Sequence, residues 1–281
     1  YYFGKTPAEL STGEAAWLIA LPQNPNRLAD PARARAARNR VLDRALKNHT
    51  INNETHHNAS HEPLAPAPHP FPQHAPHYAA LALKRGEPRT TLDRDLQTRL
   101  ETILAAAVQN RPPRSNLAAL ILDNDSGETR AYLGSAAYHD KTRLGANNLL
   151  TAIRSPGSAL KPFLYAQAIA QRRITAATLL DDSPARLQTG GGLYIPHNHD
   201  RRYHGWVSAR VALASSLNIP AVRVLGMVSP EAFHRQLHDL GMRLPETSGY
   251  YGLSLALGSA EVTLLQLANA YRALANGGRL C

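Results

Sequence analysis

Cysteine is almost missing from this sequence. Its one copy, Cys281, is the last residue, so no disulfide can form within the chain. Nor is a terminal cysteine a prenylation box, which needs three further residues. Aromatic residues are scarce, 6% against 43% hydrophobic, so the core has to be built from Leu, Ala, Val and Ile. No run of about 18 apolar residues occurs, which excludes a spanning helix of ordinary length. Zinc-ligand spacing, an aromatic-and-basic ribonucleoprotein string and a sustained basic helix are all absent, so the net charge of +10 brings no nucleic-acid signature with it. That charge favours anionic partners in general, or a solvated basic surface. The sequence has no initiator Met and no signal peptide. Neither end reads as a natural terminus, and the chain is expected to be an excised piece of a longer protein.

What is present divides into three stretches. Residues 1–48 read as helical. Ser11 and Glu14 form an S-x-x-E capping box before an apolar run that Pro22 stops, and Asp30-Pro31 is a cap followed by proline at the first helical position. Residues 49–88 are assigned to a Pro- and His-rich linker. Its first part, 49–77, is expected to lack regular secondary structure and to lie apart from any core, because six prolines fall between Pro63 and Pro76. The histidines around His56 and His57 lack a clear ligand set and read as a polar spacer. From residue 89 to 281 a further domain begins. Leu96, Leu100, Ile103, Leu104, Ala107 and Val108 mark one helix face, and a hairpin over 117–122 and 128–134 turns at Asp123–Gly127. Helices are expected after Ser158, over 208–217, 230–240 and 260–275, with stops at Asn218, Gly241 and Asn276-Gly277. A hairpin followed by several helices implies the α+β class.

Two short motifs carry chemistry. Ser158-Ala159-Leu160-Lys161 is the one S-x-x-K in the chain, and residues three apart on a helix face the same side. A serine hydroxyl is a weak nucleophile that needs an adjacent base, and a lysine serves as one when burial lowers its pKa. By itself the motif also fits a capped helix with a surface lysine. Ser216-Leu217-Asn218 is the one S-x-N, placed at the expected end of a helix and followed by Ile219-Pro220. Ser216 can relay a proton to a leaving nitrogen, and Asn218 can orient Lys161 and a substrate amide. An ordinary helix stop explains Ser and Asn there too. The two motifs in this order favour the chemical reading.

Longer strings agree with it. Arg154-Ser155-Pro156-Gly157-Ser158-Ala159-Leu160-Lys161-Pro162-Phe163, the hairpin Asp123–Ser135, Thr91-Leu92-Asp93 and Leu253–Gly258 through Tyr271 to Gly278 resemble, in order, the transpeptidase domain of the class A, bifunctional penicillin-binding proteins, the 1C type among them. Tyr2-Phe3-Gly4-Lys5, Glu14-Ala15-Ala16 and Leu21-Pro22-Gln23-Asn24-Pro25 resemble the end of that family's lysozyme-like, family 51 glycosyltransferase domain. The resemblance implies a penicillin-binding, serine β-lactamase-like fold over 89–281 and a glycosyltransferase tail over 1–48. It implies D-Ala-D-Ala transpeptidation on peptidoglycan stem peptides, with Ser158 as nucleophile, Lys161 as base, Ser216 as proton relay and Asn218 as orienting residue. No cofactor and no metal are implied. Stem peptides, lipid-linked glycan and β-lactams are the implied partners, and nucleic acid is not one. The implied location is the periplasmic side of the inner membrane, anchored by a segment outside this chain.

Two departures bear on activity. The glycosyltransferase's catalytic glutamates precede its Y-F-G-K segment and are not in this chain. The transpeptidase's third motif, K-T-G on an inner strand, is absent after Ser216; Gln188-Thr189-Gly190 is a look-alike that precedes it. That strand supplies half of the family's oxyanion hole, so the domain is expected to be truncated and these 281 residues alone to react poorly with penicillin. A catalytically silent peptidoglycan-binding fragment is one rival. A serine β-lactamase-like hydrolase is the other, although no E-x-x-L-N string follows Asn218.

Overall fold

The computed structural model describes residues 2–22, 30–64, 73–189 and 192–279. The chain forms two compact units, Tyr1–Gln73 and His74–Cys281. Each is built from its own local signals.

In the first unit the capping box forms as expected. Ser11 accepts from the Glu14 N–H at 3.1 Å, Glu14 accepts from the Ser11 N–H at 2.8 Å, and α1 (Thr12–Ala20) follows. Asp30 caps α2 (Pro31–Lys47) by accepting from the N–H groups of Ala32 and Arg33. A third helix, α3 (Asn53–His61), corrects the linker reading. Asn52 caps it by accepting from the Thr55 N–H at 2.7 Å. Ala59 is buried with Ala16 and Leu42, and Val41 and Ile51 pack against them. Arg38, nearly inaccessible at 2% exposure, donates to the carbonyls of Ser60 and Glu62 and ties the end of α3 to α2. The histidines did not forbid a helix. His56 pairs with Asp43 at 2.8 Å, and the His57 and His61 rings lie 4.4 Å apart one turn along. Most of the prolines behind the linker reading fall later, and Pro66, Pro68, Pro70 and Pro72 lie outside the described residues.

The boundary between the two compact units falls at 73/74. Helix α4 (Pro76–Arg85), placed in the linker by the sequence, belongs to the second unit. There it packs on β2, with Tyr78 and Tyr132 rings 5.1 Å apart and His77 bonded to the Ala146 carbonyl at 3.0 Å. Next come α5 (Arg94–Gln109) and the expected hairpin, β1 (Ala119–Leu122) antiparallel to β2 (Thr129–Leu133). One expected core position on α5 is wrong: Ile103 is 63% exposed. Gln97 is buried instead, because its amide completes the edge of β2. Its oxygen accepts from the Tyr132 N–H at 2.8 Å and its nitrogen donates to the Tyr132 carbonyl at 3.2 Å.

Helix α6 (Lys161–Ala170) leads to β3 (Leu179–Asp182), β4 (Leu187–Thr189), β5 (Gly192–Tyr194) and β6 (Gly205–Ser208). β3 pairs with β6 and β4 with β5, both antiparallel. Gln188 and Thr189 of the K-T-G look-alike lie on β4, and Gly190 is outside the described residues. Helices α7 (Ala209–Ala214), α8 (Asn218–Val228), α9 (Pro230–Asp239), α10 (Ser248–Tyr251) and α11 (Leu264–Ala275) complete the unit. Phe163 and Leu164 of α6, Val222, Val224 and Leu225 of α8, and Phe233 and Leu237 of α9 are the centre of its core. The class is α+β, as the sequence implied. Among the described residues no helix is long and apolar enough to cross a membrane.

Replacing Gln97 by methionine keeps the volume and orphans two buried backbone groups of Tyr132. Each such group costs about 1–3 kcal/mol, so Gln97→Met is expected to lower the unfolding free energy by about 2–6 kcal/mol in urea titrations with an unchanged slope. A loss below about 0.5 kcal/mol would mean that water satisfies the β2 edge and that the pairing is incidental.

Candidate active site

The turn that carries Ser158 is held from a distance along the chain. Arg154 and Val262 exchange two backbone hydrogen bonds, each 2.9 Å. The Ser155 hydroxyl donates to the Gly258 carbonyl, and the Tyr271 hydroxyl donates to the Ala159 carbonyl at 2.8 Å. Gly258 sits at φ +77°, and a Cβ there would lie 2.1 Å from the Gly157 carbonyl oxygen, so only glycine lets the two strands of this clamp approach. Gly157 at φ +57° then opens a single 3-10 turn, Gly157–Leu160, and α6 follows with Pro162 in its first turn. Pro162 fits there because the missing N–H has no partner in a first turn. Side chains three apart eclipse on a 3-10 turn, which places Ser158 over Lys161. Ser158 is exposed and Lys161 is 1% exposed.

The Lys161 amine points into the S-x-N turn. It donates to the Ser216 carbonyl at 2.6 Å, the Asn218 Oδ1 at 2.7 Å, and the Ser216 Oγ and Leu217 carbonyl at 3.2 Å each. Ser216 adopts the left-handed conformation, φ +54°, which stops α7 and presents both of its oxygens to the amine. The sequence pattern makes Asn218 a helix stop. It is in fact the first residue of α8, since Pro220 is tolerated in a first turn and Ser216 has already broken the preceding helix. The structure thus brings Lys161, Ser216 and Asn218 together. The expected Ser158–Lys161 contact is not a hydrogen bond here, because the oxygens of residues 216–218 take the amine; among the described residues the Ser158 hydroxyl makes none.

All four acceptors are neutral, and among the described residues no carboxylate pairs with Lys161. Burial therefore acts on the ammonium unopposed by an ion pair and lowers its pKa from 10.5 to about 8. An amine that titrates there supplies its neutral form near physiological pH. A cavity of about 620 Å³ adjoins Arg154, Ser155 and Pro156, but none of the four site residues lines it. Among the described residues no group of three or more His, Cys, Asp or Glu is placed to hold a metal ion.

Residues 117–281 match the family described as penicillin binding protein transpeptidase domain. This chain belongs to the penicillin-binding protein transpeptidase family. Penicillin-binding protein 1C of Escherichia coli (strain K12) is 41% identical over 99% of the chain, and penicillin-binding protein 1A of Neisseria cinerea 36% over 56% of it. The chain spans 36% and 19% of the lengths of these relatives. In fold it is similar to the crystal structure of penicillin-binding protein 1A from Haemophilus influenzae, with a TM-score of 0.65 and 22% identity, covering 99% of this chain and 58% of that one.

Within this penicillin-binding domain, sequence reasoning missed Asn198 and Asp182. Asn198 is buried and its Oδ1 accepts from the Asn218 N–H at 2.8 Å; Asp182 is fully buried beside it. No spacing rule links a loop asparagine to a motif two strands' breadth further along, so no local signal marked it.

The depressed pKa of Lys161 has a thermodynamic signature. Between about pH 8 and 10.5 the unfolded chain holds a proton that the folded chain has released, so stability rises with pH across that window. Relative to Lys161→Met, the wild type is expected to gain up to about 3 kcal/mol in unfolding free energy from pH 7 to pH 10.5. A pH-independent difference between the two would show that the amine is not depressed.

Proposed function

We propose that this chain performs serine acyl transfer in peptidoglycan biosynthesis, as part of a class A penicillin-binding protein. The observation that supports it best is the buried amine of Lys161, three residues after exposed Ser158, with no acidic partner among the described residues and held against Ser216 and Asn218. In this reading the neutral amine of Lys161 takes the proton of the Ser158 hydroxyl as its Oγ attacks the carbonyl of the penultimate D-Ala of a stem peptide. The C–N bond to the terminal D-Ala breaks, and Ser216 passes a proton to the departing nitrogen. An acyl ester on Ser158 remains. An amine of a second stem peptide attacks that ester, gives up its proton along the same route, and restores the serine. Asn218 holds Lys161 through its Oδ1 and faces the substrate amide. β-Lactams acylate Ser158 in the same way, and the stem peptides and lipid-linked glycan are the partners. The reading places the domain on the periplasmic side of the inner membrane. Residues 1–48 are the end of a glycosyltransferase domain, which the 1C relative's match across 99% of the chain supports.

Gel fluorescence after incubation with a fluorescent penicillin tests this. Labelling is measured on the 281 residues and on the chain extended by a K-T-G-bearing segment of a relative, with the longer chain expected to label more strongly. Ser158→Ala is expected to abolish labelling. Lys161→Ala is expected to slow it by about 10²–10⁴-fold, the range of general-base contributions. Undiminished labelling of Ser158→Ala, or an adduct mapped to another residue, would overturn the assignment. Absence of labelling in both chains would favour a domain that binds peptidoglycan without acylation.

A further inference from the structure

A helix leaves its first N–H groups without intrahelical partners. In α8 the residue before the helix, Leu217, offers no side-chain cap. The cap comes from the loop between β5 and β6 instead. Asn198 Oδ1 accepts from the N–H of Asn218 at 2.8 Å and of Ile219 at 3.4 Å. The neighbouring His197 carbonyl accepts from Asn218 Nδ2 at 2.8 Å, which leaves Asn218 Oδ1 facing Lys161. Backbone and side chain of Asn218 are thus both held by residues 197–198.

Asn198 is itself locked. It is 4% exposed, and its Nδ2 donates to both carboxylate oxygens of Asp182, at 2.8 and 2.9 Å, and to the Arg202 carbonyl at 2.9 Å. Three acceptors on one side fix which end of the amide carries the nitrogen, and so aim the oxygen at α8. Asp182 closes β3 at 0% exposure and also accepts from the N–H and Nδ1 of His204, at 3.0 and 2.8 Å. A buried carboxylate that takes four hydrogen bonds from three donor atoms, one asparagine deep behind the S-x-N turn, is more than α8 needs for capping. An ordinary Ser or Asp before the helix would satisfy the same N–H groups.

We propose that Asn198, locked by Asp182, is a positioning residue of the acyl-transfer site: it fixes the start of α8 so that Asn218 meets and holds the Lys161 amine. This rests on the reading of Lys161 as the base for Ser158. The chain of bonds runs Asp182, Asn198, Asn218, Lys161. Asp182, His204, Tyr165, whose hydroxyl feels the Asp182 charge, and Asp200, 3.6 Å from His204, are the other titratable groups along it.

The titration of Lys161 reads the proposal directly. In protein labelled with ¹³Cε-lysine, its resonance has to be told only from those of Lys5, Lys47, Lys84 and Lys141. An acceptor favours the charged amine, so releasing Asn218 lowers the midpoint. Asn198→Ala is expected to shift it down by at least about half a pH unit, to match Asn218→Ala, and to add nothing in the double variant. Asp182→Asn keeps the volume, turns a donor toward Asn198 Nδ2, and is expected to shift it in the same direction if Asn198→Ala does not fold. A role confined to stability lowers the melting temperature and leaves the midpoint where it is. An unmoved midpoint in either folded variant overturns the proposal. Penicillin labelling of the same proteins separates the two readings. If the wild type labels at Ser158 and the midpoint is unmoved, positioning fails and acylation stands. If the midpoint moves and Ser158 does not label in the K-T-G-extended chain, the assigned reaction fails.

Discussion

A buried lysine amine held by neutral oxygens organises this site. Taking an ammonium out of water is costly unless it is paired, and the usual outcome is a lowered pKa and a neutral group. Here the amine of Lys161 is enclosed by carbonyl, hydroxyl and amide oxygens of residues 216–218, which hold it by geometry without fixing its charge. A carboxylate in the same place would keep the proton on the amine and remove the base. In the proposed reading, the neutrality of the surroundings is what lets a lysine accept a proton from a serine.

The rest of the second unit follows from that requirement. Lys161 is buried while Ser158, three residues before it, is exposed, and the tight turn Gly157–Leu160 makes that change of depth. Such a turn does not hold itself. Gly258, Val262 and Tyr271 clamp it from a segment about a hundred residues further along, and α6, which Lys161 opens, packs against α8. On the other side, a left-handed Ser216 turns the chain sharply enough to aim two oxygens of one residue at one amine. Strain of this kind, on the order of 1–3 kcal/mol, persists only where surrounding contacts over-determine it.

The first unit illustrates how proline content misleads when position is ignored. The prolines cluster after residue 62, while the residues before them carry a good cap, no proline and a small residue, Ala59, where α3 packs against α1 and α2. Arg38 then uses its fork of donors on the last carbonyls of α3, a fixed geometry that lysine does not offer. Composition averaged over 49–77 blended these two stretches into one linker.

Local rules made most of the helices and the hairpin legible, because capping boxes, an Asp-Pro start, a D-x-D-S-G turn and Asn-Gly stops act within a few residues of the backbone they shape. The S-x-x-K and S-x-N strings likewise named Ser158, Lys161, Ser216 and Asn218, since a three-residue spacing on one turn is a local fact. What the sequence could not carry was partnership. Gln97 lies outside the apolar pattern of its helix, yet it is buried, while Ile103 lies in water; only the edge of β2 decides that. Asn218 reads as a stop, yet it begins a helix, because its N–H groups are met by Asn198 from another loop. The Lys161 amine turns from Ser158 to the 216–218 oxygens for the same reason. Burial and hydrogen-bond partners are set by whichever segments folding brings alongside, and those segments leave no mark on the residues they serve.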